Sequence, residues 1–179
     1  MAVSMLNKVV MDDTTRTGRW FFAIAIEGPI AEKLTELQTR WLTTLRQSDK
    51  VRPIIANNLH LTLRFLGPLS DDELSHWQQR SRKICAQSFT LQLANLGYFP
   101  RAKTGWIGVK PSTPLTSLAA QLDVSERWQP HISLLRALSA DALPELPLPD
   151  ASWSVNAFYL YHSDGSGTPY QRMQRITLG

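Results

Sequence analysis

The chain has 179 residues, of which 43% are hydrophobic and 19% charged, with a formal net charge of +4. That make-up is globular, and no apolar run approaches the roughly 20 residues that span a bilayer. The single cysteine, Cys85, excludes an intramolecular disulfide and fits a reducing, cytoplasmic setting. Arginine supplies 13 of the 19 basic residues, and guanidinium suits bidentate phosphate contact better than ammonium does.

Residues 1–18 lack an apolar h-region and are expected to be a flexible lead-in. The remainder, 19–179, is expected to form one domain. "WFFAIAI" (20–26) predicts a buried strand. "PIAEKLTELQTRWLTTLRQ" (29–47) spaces Ile30, Leu34, Leu37, Trp41 and Leu45 by three and four, which predicts an amphipathic helix with proline in its first turn. "NNLHLTLRFLG" (57–67) alternates as a strand and ends at Gly67-Pro68. "SDDELSHWQQRSRKICAQ" (70–87) opens with Ser70 and Glu73 at capping-box spacing and predicts a helix, with Leu74, Trp77, Ser81, Ile84 and Cys85 inward. Cys85 is therefore expected to be buried.

"FTLQLANL" (89–96) and "TGWIGV" (104–109) predict paired strands joined by the aromatic and basic loop "GYFPRAK". "SLAAQLDV" (117–124) allows a short helix, and "HISLLR" (131–136) a strand. Three prolines bar regular structure from "LPELPLPD" (143–150). "SWSVNAFYLYHS" and "YQRMQRITL" flank "DGSGTP" as a closing hairpin. The order β-α-β-α-β-β-α-β-β-β indicates a layered α+β domain.

Within this frame two strands echo one another. Alternation puts His60, Thr62 and Arg64 on one face of the first, with Leu59, Leu61, Leu63 and Phe65 on the other. The second repeats the pattern with His131 and Ser133. Arg136 falls on the opposite face by strict alternation, and only a bulge or the strand's end returns it. Two buried histidines and two hydroxyls without a purpose would cost stability. Imidazoles titrate near neutrality, so one serves as base and the other as acid across a phosphorus. Hydroxyls and guanidinium groups hold the phosphate oxygens. His76 and His162 show no such pattern and are expected at the surface. A catalytic zinc needs three ligands, and no third stands at an obvious offset, so no metal or other cofactor is expected.

The motifs "NNLHLTLRFLGPLSDDEL" and "PHISLLR", with "WFFAIAI" and "YFPRAKTGWIGV", resemble the 2H phosphoesterase superfamily, in its bacterial RNA 2′,3′-cyclic phosphodiesterase (2′-5′ RNA ligase-like) branch. The resemblance covers about residues 19–178. It implies a bilobal α+β fold, two pseudo-symmetric lobes of antiparallel sheet with outer helices around a central groove. It implies metal-independent hydrolysis of RNA or nucleoside 2′,3′-cyclic phosphate to the 2′-phosphate, with 2′-5′ RNA ligation as a weak reverse reaction. By motif position His60 and His131 are the catalytic pair; His131 is assigned as the base and His60 as the acid, an order that the sequence does not decide and that a reverse reaction swaps. Thr62, Ser133 and Arg136 are implied to bind phosphate. Arg64 is either a further phosphate contact or a solvated strand charge. Phe99, Trp106 and Tyr98 are either base-stacking surfaces or core. The segment between Leu118 and Pro130 is short for the family. The expected partners are RNA ends or nucleotides carrying a 2′,3′-cyclic phosphate, with no membrane and no demand for a dimer, so a monomer is expected. Two alternatives stay open: a phosphodiesterase for another cyclic phosphate such as ADP-ribose 1″,2″-cyclic phosphate, and a non-catalytic RNA- or nucleotide-binding module.

Overall fold

The computed structural model describes residues 18–45, 50–125, 127–139, 142–167 and 169–179. Most of the expected lead-in lies outside the described residues. The elements are β1 (Arg19–Ala25), α1 (Pro29–Thr43), β2 (Arg52–Pro53), a 3₁₀ turn (Ala56–Asn58), β3 (His60–Gly67), α2 (Asp71–Ser81), β4 (Phe89–Phe99), β5 (Thr104–Val109), α3 (Thr113–Gln121), β6 (His131–Arg136), β7 (Ser152–Val155), β8 (Ala157–Ser163) and β9 (Gln171–Thr177).

The strands form one antiparallel sheet in the order β7-β4-β5-β6-β3-β1-β8-β9, with β2 also on β6. The sheet has two wings. They meet where β3 and β6 touch, through the single pair Leu61 and Ile132. Both of these side chains are fully buried. The architecture is α+β with two lobes.

Helices cover one face of the sheet. The inward stripe of α1, Ile30, Leu34, Leu37 and Trp41, is buried as its spacing predicts. Helix α2 begins at a complete capping box: Ser70 accepts from the Glu73 N–H, and the Glu73 carboxylate accepts from the Ser70 N–H at 2.8 Å. Ser112 caps α3, accepting from Leu115 N–H. That cap starts the helix four residues earlier than the apolar spacing alone suggests.

Three expectations are corrected. Helix α2 stops at Ser81, not at residue 87. Beyond it the backbone of Cys85 is held by the Gln121 side chain, which donates to its carbonyl at 3.1 Å and accepts from its N–H at 3.3 Å. A backbone tied in this way cannot continue the helical ladder, and Cys85 is exposed, not buried. His162 is buried rather than at the surface, 6% exposed, because β8 alternation turns it to the helix side. It packs 4.6 Å from Trp20 and lies against Gly18, where a Cβ would come within 1.8 Å of its Nε2.

Gln38 is the one polar residue on the buried stripe of α1, and periodicity gave no sign of its role. Its Nε2 donates to Ile54 O at 2.9 Å and to Leu134 O at 2.8 Å. It thus ties α1 to the strand that carries His131. A Gln38→Leu substitution keeps the volume but removes the side-chain donor to Ile54 O, while Leu134 O keeps the Ile54 N–H at 2.8 Å, at a cost of about 1–3 kcal/mol. Urea unfolding of the variant is expected to show a lower midpoint with unchanged slope.

Candidate active site

The open face of the sheet carries a cleft of about 160 Å³ at the centre of the β1-β3-β6 region. It is lined by Arg19, Phe21, His60, Thr62, Phe65, Ser133, Arg136, Ser163 and Tyr170. The pairing of Leu61 with Ile132 explains how the two motifs meet. In an antiparallel pair, residues one step either side of a matched pair also face each other. His60 therefore lies opposite Ser133, and Thr62 opposite His131. Each histidine has the other motif's hydroxyl as its cross-strand neighbour.

Both imidazoles are fixed in the same way. His60 Nδ1 lies 2.7 Å from Asn58 O, and His131 Nδ1 lies 2.8 Å from Gln129 O. A carbonyl can only accept, so Nδ1 carries the proton in each ring. The neutral tautomer leaves the Nε2 lone pair available to a ligand. Aromatic rings hold the edges. Phe21 is 5.0 Å from His60, and Tyr170 meets it edge-on at 5.5 Å. On the other lobe Phe99 meets His131 edge-on at 4.7 Å, and Trp106 is 6.0 Å away. Trp106 is 5% exposed and lies across Gly97, where a Cβ would come within 2.0 Å of its ring.

The electrostatics follow from burial. Desolvation lowers the His60 pKa to about 4, against the opposing pull of the Asn58 carbonyl, and the charges of His131 and Arg136 lower it further. Burial also lowers His131, with the Gln129 carbonyl opposing. Neither ring has a carboxylate among these influences, and the backbone carbonyls that favour each imidazolium are outweighed by desolvation. Among the described residues no three His, Cys, Asp or Glu side chains gather as a metal site.

Two bulges decide which other residues reach the cleft. In β6, Gly105 pairs with Leu135 but Trp106 pairs with Ser133, so Leu134 is the extra residue. Leu134 and Leu135 are both buried, and Arg136 is returned to the cleft. In β3, Ala23 pairs with Thr62 and Phe22 with Arg64, so Leu63 is extra. This turns Arg64 away from the cleft, whose lining does not include it. Its Nη1 donates to Leu122 O at 2.6 Å and Asp123 O at 2.7 Å, and its guanidinium sits 4.8 Å over Trp77. There it fastens the end of α3, helped by Arg80, whose Nη2 donates to Asp123 Oδ1 at 2.6 Å. The same bulge brings Phe65 to the cleft wall, 60% exposed.

Of the other candidates, Tyr98 turns towards the core, its hydroxyl donating to Leu138 O at 3.0 Å. Sequence reasoning missed Phe65, Phe21, Arg19, Ser163 and Tyr170. Phe65 carried a signal, a large aromatic on the motif strand β3 itself, but alternation assigned it to the core. The others come from β1, β8 and the segment before β9, whose meeting only the topology shows.

The family model of the 2′-5′ RNA ligase superfamily matches residues 34–167, a span that includes both His-x-hydroxyl strands. The chain belongs to that superfamily. It is 33% identical over 175 residues to the RNA 2′,3′-cyclic phosphodiesterase of Escherichia coli (strain K12), covering 89% of this chain and 96% of the relative. It is 25% identical over 184 residues to a protein of the same name from Thermus thermophilus, covering 89% and 90%. The crystal structure of E. coli LigT complexed with 3′-AMP superposes with a TM-score of 0.77 at 32% identity, covering 90% of this chain and 98% of that one.

NMR titration of the ring nitrogens is expected to show both histidines as the Nδ1–H tautomer at neutral pH. His60 should titrate near pH 4 and His131 below 6.5. A pair titrating at or above 6.5 would contradict the desolvation that lowers both rings.

Proposed function

We propose that this protein hydrolyses the 2′,3′-cyclic phosphate of an RNA end or nucleoside to a 2′-phosphate, using His60 and His131 as its acid and base. One observation carries the reading: two imidazoles, each pinned through Nδ1 to a backbone carbonyl, stand on facing strands, and His60 lines one cleft with Thr62, Ser133 and Arg136. The family and the activity named for its relatives support it.

In this mechanism the cyclic phosphate lies between the rings. His131 Nε2 takes a proton from water as the water oxygen bonds to phosphorus. The P–O3′ bond breaks opposite, and O3′ takes a proton from His60 Nε2. Thr62, Ser133 and Arg136 hold the non-bridging oxygens as their charge grows. Phe65, exposed on the cleft wall, offers its face to the terminal base. A ribose 5′-hydroxyl in place of water would run the same step, with His131 taking its proton and O3′ again leaving towards His60, and would give a 2′-5′ link. The exposed lone thiol of Cys85 suits a reducing cytoplasm.

The lowered pKa values define how the acid is loaded. In the empty site a proton on His60 is disfavoured by desolvation and by Arg136. The anionic phosphate opposes both effects when it binds. His60 then holds a proton that it releases readily once the charge moves to O3′.

Hydrolysis of nucleoside 2′,3′-cyclic phosphates in excess EDTA tests the reading. Wild type is expected to turn over to the 2′-phosphate. His60→Ala and His131→Ala are each expected to lower kcat by about 10²–10⁴-fold. Wild-type turnover abolished by EDTA, or full activity in either variant, would refute the assignment.

The pH profile is a separate test. The productive free enzyme carries one proton on the pair, and both pKa values are lowered, so kcat/KM should peak below pH 6.5. The kcat profile, set by the complex, should peak at higher pH because the bound anion raises both values.

A further inference from the structure

Beyond Tyr170 the surface opens into a second cavity of about 430 Å³. Tyr170 lines both this cavity and the cleft, and so forms the wall between them. The second cavity is bounded by Glu27 after β1, Ala31 on α1, Ala56 and Asn57 in the 3₁₀ turn, and Arg172 on β9.

Its charges are balanced. Arg172 Nη2 donates to Glu27 Oε1 at 2.7 Å, and Arg172 Nε donates to the Tyr161 hydroxyl at 3.1 Å. The same guanidinium lies 4.6 Å over the Tyr159 ring. A phosphate is a poor match for this lining, since Glu27 repels it and Arg172 is already engaged. A flat, neutral group with donors and acceptors along one edge is a good match. Tyr170 supplies a face, and Asn57 and Glu27 supply both kinds of polar partner. A nucleobase has that chemistry.

Size points the same way. The cleft, at about 160 Å³, is smaller than the roughly 300–1,000 Å³ of ordinary small-ligand sites. It has room for the reacting phosphate and little beyond its sugar. The rest of an RNA end must continue over the surface, and the larger cavity adjoins the cleft. The wall is also tied to the chemistry. Tyr170 N–H donates to Asn58 Oδ1 at 2.8 Å, while Asn58 O accepts from His60 Nδ1. A base stacked on Tyr170 would load the residue that orients the imidazole.

We propose that this cavity is a second nucleotide subsite, which holds the nucleobase next in the RNA chain to the terminal cyclic phosphate. The inference rests on the phosphodiesterase reading above, and it adds that the preferred substrate is an oligonucleotide rather than a mononucleotide.

The test compares kcat/KM for a nucleoside 2′,3′-cyclic phosphate with that for a tetranucleotide ending in the same group. Wild type is expected to prefer the tetranucleotide by about tenfold, within what one stacked base contributes. Asn57→Trp fills the cavity from an exposed position. It should remove that preference while leaving the mononucleotide value within about twofold, the stacking contribution being the part that is lost. Ala56→Trp, also at an exposed position, serves as an independent filling variant should Asn57→Trp misfold. Wild type without a preference, or filling variants that slow both substrates equally, would overturn the subsite and leave the phosphodiesterase reading intact. Turnover of neither substrate by folded wild type would overturn both.

Discussion

The site depends on one contact, the antiparallel match of Leu61 with Ile132 at the seam between the lobes. Each is the middle residue of a His-x-hydroxyl motif. Pairing the middles makes the two motifs face one another in opposite directions. Side-chain alternation then sends both buried residues into the core and both histidines to the open face. A shift of register by one residue would bury the imidazoles and expose the aliphatic pair. The match is held from below. Leu61, Leu63, Ile132 and Leu134 are each at most 1% exposed, and Gln38 fixes the Leu134 carbonyl from α1.

Holding two imidazoles out of water has an electrostatic consequence. Desolvation disfavours the cation, and the site supplies carbonyls rather than carboxylates as Nδ1 partners. A carboxylate would have stabilised the imidazolium and filled the space that an anion needs. The carbonyls instead set the tautomer with little charge. The empty site is therefore neutral on its rings and positive at Arg136. Under the proposed mechanism an anion held between the rings would oppose both the desolvation and the charge of Arg136, so that substrate binding and proton uptake by His60 would be linked.

Much of this was legible in the sequence. The strand and helix frame followed from apolar spacing, and the two histidines and hydroxyls followed from the motif echo. What period-two alternation could not give was the position of the bulges. One extra residue at Leu63 exchanged the places of Arg64 and Phe65, and one at Leu134 restored Arg136. Bulges are set by how neighbouring strands twist against the helix layer, which no local pattern records. The same limit applies to Cys85 and His162. Cys85 left its helix because Gln121, distant in sequence, holds its backbone. His162 lies on the helix side of β8 by alternation, and what its own segment does not record is that Gly18, from before β1, leaves room there for its ring. The cleft walls from β1, β8 and Tyr170 are a product of strand order, and strand order is not written in any one segment.

The near-symmetry of the pair has a further implication. Two rings with the same tautomer, the same kind of anchor and the same cross-strand hydroxyl have no intrinsic direction. If the surroundings were also equal, either ring could begin as the base. They are not equal. His60 stands among Phe21, Tyr161 and Tyr170, and it feels the charge of Arg136. His131 stands against Phe99 and Trp106 and is less affected by charge. The asymmetry between the two rings therefore lies in the aromatic walls and one guanidinium rather than in the motif residues. Under the proposed mechanism these surroundings, not the His-x-hydroxyl strands, would distinguish acid from base.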